Sequence, residues 1–210
     1  MKDETEKKLR TLLLIFSESD FLEDENIEKL FDRFSFIRNS GIENLLIFID
    51  VLKEAERREY LAQIITEKIQ AVSKKYEFES LVFSNEVNRS NFSNELMTKQ
   101  PNSSESDFSI YFILNLGGRE ELKMILADFI QNRSTDETAD AYDFINSNLL
   151  IPFEPDFIMS NLRNSLTDFM IWQTAYSEYY FFEKEMNRLT DSDFRKAFES
   201  FKKRDRRYGA

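Results

Sequence analysis

Ile42-Glu43-Asn44-Leu45-Leu46-Ile47-Phe48-Ile49-Asp50-Val51-Leu52-Lys53 is the stretch on which the fold turns. Ser40 and Glu43 ahead of it match the capping-box pattern, in which two side chains satisfy the free amides of a helix start. Apolar positions 45, 46, 49, 52, 61, 64, 65, 69 and 72 then continue with no Gly or Pro until Lys75. That stripe predicts one very long helix, or two broken near Arg57-Arg58. Its smooth drift across the doubtful point favours one.

Helical spacing extends to both sides. Leu9, Leu12, Leu13 and Phe16 predict a helix over 3–16, and Ile27, Leu30, Phe31, Phe34 and Ile37 another over 25–38. Beyond Gly117-Gly118, Leu122, Ile125, Leu126 and Phe129 predict a helix over 119–132. A second capping box, Ser134 with Glu137, opens one through Ala141, Phe144 and Ile145. Pro155 suits the first turn of the next helix, whose stripe runs from Ile158 through Trp172 to Met186. Thr190 or Asp191 caps a last helix with Phe194, Ala197, Phe198 and Phe201 inward. Only 4 Gly and 3 Pro occur in 210 residues, and hairpin-rich sheets consume such residues at every turn.

The fold class expected is therefore all-α: a multi-helix bundle or short helical array of about 7–8 helices, with a core leaning on its 21 Phe. A small β-element over 76–83 and 108–116 is the competing reading of those two segments. Residues 84–107, rich in Ser and Asn, divide an N-terminal half (1–83) from a C-terminal half (108–201), and a basic tail (202–210) follows; the halves together are read as one globular domain. Phe36–Gly41 and Phe112–Gly117 share an F-I-x-N-x-G pattern, which as a repeat would make both of them helix ends.

The chain has no His and no Cys. That excludes thiolate nucleophiles, imidazole bases and metal sites built on nitrogen or sulfur ligands. Net charge is −11, with acid concentrated in 18–28 and 134–162. An acidic body repels nucleic acid and anionic membrane and steers towards basic partners, or simply confers solubility. Early acids at Asp3, Glu4 and Glu6 and a short apolar run over 12–16 do not suit a secretion signal. No apolar stretch approaches membrane-spanning length, so a cytoplasmic location is expected.

Asp136-Glu137-x-x-Asp140 is the best metal candidate, because carboxylates one helical turn apart face the same way. The spacing resembles the first aspartate-rich motif of all-helical prenyl-diphosphate enzymes. Their second motif is missing, and first-turn acids also complement a helix dipole, so no metal and no cofactor are assigned. Gly117-Gly118-Arg119 offers amides to an anion but reads better as a corner between helices. Phe34 to Lys53, with Glu43-Asn44-Leu45 opening a helix after a Phe-rich one, resembles the central helices of regulators of G-protein signalling; no residue role carries over.

Trp172, Tyr176, Tyr179, Tyr180, Phe181 and Phe182 cannot all face one way on a helix. Trp172, Tyr176, Tyr179 and Tyr180 are therefore read as anchors for a partner, with a second core-facing helix as the plain alternative. Lys202, Lys203, Arg204, Arg206 and Arg207 join them as partner-binding residues, against a merely solvated tail.

No catalytic residue is assigned. The leading expectation is a non-catalytic acidic helical binder (adaptor, chaperone, immunity protein or inhibitor) that engages a basic protein partner. One alternative is a structural subunit of a nucleic-acid-handling complex, its tail near phosphate. The other is a Mg-dependent all-helical enzyme acting on diphosphates.

Overall fold

Thr11–Ser17 and Asn44–Asp50 are not helices but neighbouring parallel strands, β1 and β2, with Leu12 opposite Leu45 and Phe16 opposite Ile49. The computed structural model describes residues 8–51, 55–76, 80–83, 108–114, 117–132, 140–161 and 169–204. Within these, β3 (Ser80–Phe83), β4 (Ser109–Leu114), β5 (Phe157–Ser160) and β6 (Glu178–Phe181) complete a six-stranded sheet of order β3-β4-β2-β1-β5-β6. Every pairing is parallel. Around it run α1 (Asp24–Phe31), α2 (Phe34–Asn39), α3 (Ala55–Tyr76), α4 (Gly118–Asn132), α5 (Ala141–Asn148) and α6 (Asp191–Lys202).

The all-α expectation is thus overturned, and the physical reason is burial on both faces. A parallel strand between two helical layers is apolar at every position, so it shows no alternation. Leu12, Leu13, Leu14, Ile15 and Phe16 are all buried, and such a run satisfies helical spacing as readily as any other. The shortage of Gly and Pro misleads for a related reason. Parallel strands are joined by crossovers, usually helical, which need no tight hairpin turns.

The long helix over 42–75 resolves into β2 and α3, so Ser40 and Glu43 open no helix. Instead Ser40 follows α2 and donates from Oγ to the Phe36 carbonyl at 2.8 Å, and Gly41 turns the chain at φ 87°. The likeness to regulators of G-protein signalling fails for the same reason, since a helix and a strand occupy 34–50. The supposed repeat fails too: Phe36 lies in α2, whereas Phe112 lies in β4. The segments 80–83 and 109–114 do pair, as one edge of the larger sheet. Strands from 1–83 and from 108–201 share that single sheet.

Alternation assigns each face. Leu12, Leu14, Phe16, Leu45, Ile47, Ile49, Ile110 and Phe112 pack under α1, α2, α3 and α6. Phe112 lies under a ring cluster of Phe21, Phe31 and Phe34, at centroid distances of 6.4, 5.9 and 6.5 Å. Leu13, Ile15, Leu46, Phe48, Tyr111, Ile113 and Ile158 form the other face, against Ile151, Phe169 and Met170. Helix α6 is closed as its sequence predicts, with Thr190 and Asp193 making a capping box and Phe194, Ala197, Phe198 and Phe201 buried. Among the described residues no helix is long and apolar enough to cross a membrane.

Candidate functional site

In an open parallel sheet, ligands bind beyond the carboxyl ends of the strands, where neighbouring connections leave in opposite directions. Here that point lies beside β1: β2 flanks it on one side and β5 on the other. At this edge β1 ends in Ser17, β2 in Asp50 and β5 in Ser160, followed by Asn161. Register sets Ser17 opposite Asp50, and Ile15 opposite Ser160. Since side chains alternate, Ser17, Asp50 and Ser160 share the face of Ile15, Phe48 and Ile158. That apolar face therefore becomes polar where the strands end, beside Phe169, whose ring lies 5.9 Å from that of Phe48.

Asp20, in a 3-10 turn over Glu18–Phe21, ties this edge together. Its Oδ2 accepts from the Ser17 amide at 3.2 Å, the Ser17 hydroxyl at 3.0 Å and the Asn161 side-chain amide at 3.3 Å. Its Oδ1 accepts from the Met186 amide at 3.4 Å. At the opposite edge Asp156 Oδ2 accepts from the Arg10 and Thr11 amides at 2.9 and 3.0 Å. Carboxylates thus link the β1 and β5 segments at both ends.

Acid dominates the chain just after β1, although Lys68 of α3 pairs with Asp24. Glu18, Asp20, Glu23, Asp24 and Asp50 stand on or just after β1 and β2, and the chain has no basic residue from 18 to 28. In sequence, Lys53 lies three residues beyond Asp50 and Arg163 three beyond Ser160; both fall outside the described residues.

Helix α4 starts at Gly118, where a Cβ would sit 2.8 Å from the Ile171 nitrogen. Gly117-Gly118 therefore serves as a packing corner, and the first turn carries Glu120 and Glu121, which disfavour an anion there. Buried Glu121 accepts from the Leu150 amide at 2.7 Å, while Gln173 donates to the Ile151 carbonyl at 3.1 Å. Together they hold 150–151 between α4 and the 171–176 turns.

A protein-family model described as "Putative undecaprenyl diphosphate synthase" matches residues 25–209. The chain belongs to this prenyltransferase family. An isoprenyl transferase of Thermotoga maritima is 34% identical over 108 residues, covering 48% of this chain and 45% of that protein. One from Staphylococcus haemolyticus is 25% identical over 144 residues, 66% of this chain and 56% of its own length. The chain spans about half the length of the curated relatives it matches. In fold it is similar to a probable undecaprenyl diphosphate synthase from Campylobacter jejuni, with TM-score 0.72 at 16% identity over 97% of this chain and all of that one. Lavandulyl diphosphate synthase from Lavandula x intermedia gives 0.71 at 16% identity over 96% and 98%.

Membership in a prenyltransferase family overturns the expectation of a non-catalytic adaptor, chaperone, immunity protein or inhibitor. The alternative with diphosphate chemistry fits better, on an α/β sheet rather than an all-helical frame. The carboxylates that suggested it do not carry it. Asp140 caps α5, accepting from the Tyr142 amide at 2.7 Å, while Asp136 and Glu137 lie outside the described residues. Among the described residues no group of three acids is placed to hold a metal.

The residues assigned to a partner are dispersed. Trp172 donates to Asn146 Oδ1 at 2.9 Å and its ring lies 5.8 Å from Tyr142; Tyr176 is exposed. Tyr179 and Tyr180 alternate on β6, one against each face of the sheet. Lys202 ends α6 and Lys203 follows it, exposed, while Arg204 folds back onto Tyr179 and Glu178. Arg206 and Arg207 lie outside the described residues.

Sequence reasoning missed Ser17, Asp20, Asp50, Ser160 and Asn161. A signal was present for three of them, since apolar runs stop at Ser17, Asp50 and Ser160; Asp20 and Asn161 lie just beyond two of those stops. That pattern marks a strand end only once the run is read as a strand.

Proposed function

We propose that this prenyltransferase-family protein transfers an isoprenyl group from a diphosphate to a second isoprenyl diphosphate at the carboxyl edge of β1, β2 and β5. The family match over residues 25–209 carries the reading, and the names of the relatives supply the substrate class. In such a transfer the carbon–oxygen bond to diphosphate breaks, and the diphosphate leaves with the electron pair. The acceptor's alkene bonds to the freed carbon, and the acceptor then loses a proton.

The site must therefore stabilise a polyanionic leaving group and accept a proton. Asp50 is the carboxylate we assign to the proton, because it ends β2 opposite Ser17, on the sheet face that turns polar at this edge. Lys53 and Arg163 are the cations nearest in sequence to the ends of β2 and β5, and we assign them to the diphosphate.

The test is direct. Purified protein is incubated with geranylgeranyl diphosphate and radiolabelled isopentenyl diphosphate, with and without Mg²⁺, and the label extractable into butanol is followed. Label should enter longer isoprenyl diphosphates, and Asp50→Asn should reduce the rate by about a hundredfold or more. No incorporation under any condition would refute the reading.

A further inference from the structure

We infer that Asp20 is a positioning residue for the reaction proposed above: it sets the separation of β1 from β5 at the crevice and the orientation of Asn161. The inference rests on that functional reading.

Three chain segments converge on this one carboxylate: Ser17 from the end of β1, Asn161 from the end of β5, and Met186 from the start of the 3-10 turn Met186–Arg188. Met186 follows β6, so Asp20 binds together the ends of three stretches that are far apart in sequence. Asp20 is only 9% exposed, which makes its hydrogen bonds costly to break without replacement.

The bond to Asn161 carries a further consequence. An ionised carboxylate only accepts, so the side-chain amide of Asn161 must present its NH₂ to Asp20. Its Oδ1 is thereby turned the other way, buried and with no hydrogen-bond partner among the described residues. Remove the carboxylate and no other side-chain hydrogen bond among the described residues holds the amide in that orientation. Asp156 keeps the amino ends of the two strands joined, so loss of Asp20 loosens the crevice and leaves the sheet intact.

A residue that shapes a substrate crevice alters binding of the substrate more than the chemical step, and a displacement of about 1 Å is enough for tenfold effects or larger. Asp20→Asn removes the charge. Asn161→Ala breaks the same bond from the β5 side and leaves the 18–21 turn untouched. Each variant, and the double variant, is compared with the wild type in kcat, KM and calorimetric affinity for geranylgeranyl diphosphate, with a melting curve for each.

Each single variant should raise KM and weaken binding by about tenfold, with kcat changed less. The double variant should be no worse than the more affected single, because both delete one shared interaction. Wild-type activity with unaltered affinity in both singles overturns the proposal alone. So does strictly multiplicative loss in the double, or an Asp20→Asn variant whose pH–rate profile loses its acid limb, which would make Asp20 a proton acceptor. A wild-type protein that neither binds nor transfers overturns the functional reading as well as this one, and so separates the two failures.

Discussion

Arg204 donates from Nη1 to the backbone carbonyl of Tyr179 at 2.7 Å, on the side of β6 that no strand occupies among the described residues. Glu178 and Phe182 turn their amides to Asp156 and Ser160, so the backbone of Tyr179 between them faces outward. An open edge of this kind is a template for pairing with another chain, and a charge placed on it blunts that tendency. The basic residue just past α6 thus covers its own sheet.

Arg204→Ala should therefore increase self-association. Sedimentation velocity at matched concentrations should show more of the larger species than in the wild type, while stability falls by about 1 kcal/mol. An unchanged distribution would mean that the edge is protected by other means.

Phe112 is fully buried on β4, on the sheet face that carries α1, and it packs against the rings of Phe21, Phe31 and Phe34. Phe112→Ala should cost about 3–5 kcal/mol, the range for a large side chain deleted from a packed core. Chemical denaturation measures it, and a loss below about 1 kcal/mol would show that the cluster repacks.

Gly118 lies against the backbone nitrogens of Ile171 and Met170 and against Cγ1 of Ile171, and the two backbone atoms, the nearest of the three, cannot swing aside as a side-chain end could. Gly118→Ala should force α4 off the 170–171 segment and lower the melting temperature, whereas Gly41→Asn, strained by φ 87° but with open space around it, should lower it less, because Asn is the side chain that best tolerates the left-handed region. Comparison of the two melting curves checks both.

Burial raises the Asp193 carboxyl, but the Lys184 ammonium and the Thr190 hydroxyl and amide outweigh it and hold the group down at about 2. A depressed acid stabilises the fold above its ordinary value of 3.8, and the contribution is lost as pH falls towards 2. The stability gap between wild type and Asp193→Asn should be constant above roughly pH 5 and close on acidification. A gap independent of pH would contradict the ion pair.

Part of this fold was legible in the sequence. Helices α4 and α6 carry one apolar stripe each, so spacing alone located them, and Thr190 marked the start of the second. Segments 80–83 and 109–114 were open to reading as strands for their residue types. β1 and β2 were not, because a strand buried on both faces has no polar phase to betray its period. Leu12–Leu14 and Leu45–Leu46 are also good helix formers, so local preference reinforced the error.

The site was lost with the strands. Asp20 was counted as one charge in an acidic run, although it is buried and takes hydrogen bonds from three segments. Asp50 fell between the stripe positions 49 and 52 of the expected helix, so nothing marked it as the end of a strand. The aromatics from 172 to 182 were seen not to face one way on a helix; turns and β6 are what distribute them, with Tyr179 and Tyr180 against opposite faces of the sheet.

The central claim is that an isoprenyl diphosphate binds where β1, β2 and β5 end. Hydrogen–deuterium exchange with and without a non-hydrolysable geranylgeranyl thiodiphosphate tests it most directly. The account predicts protection concentrated in peptides covering 17–20, 50–53 and 160–163. Protection confined to β6, α5 or the C-terminal residues, or none at saturating ligand, would contradict it.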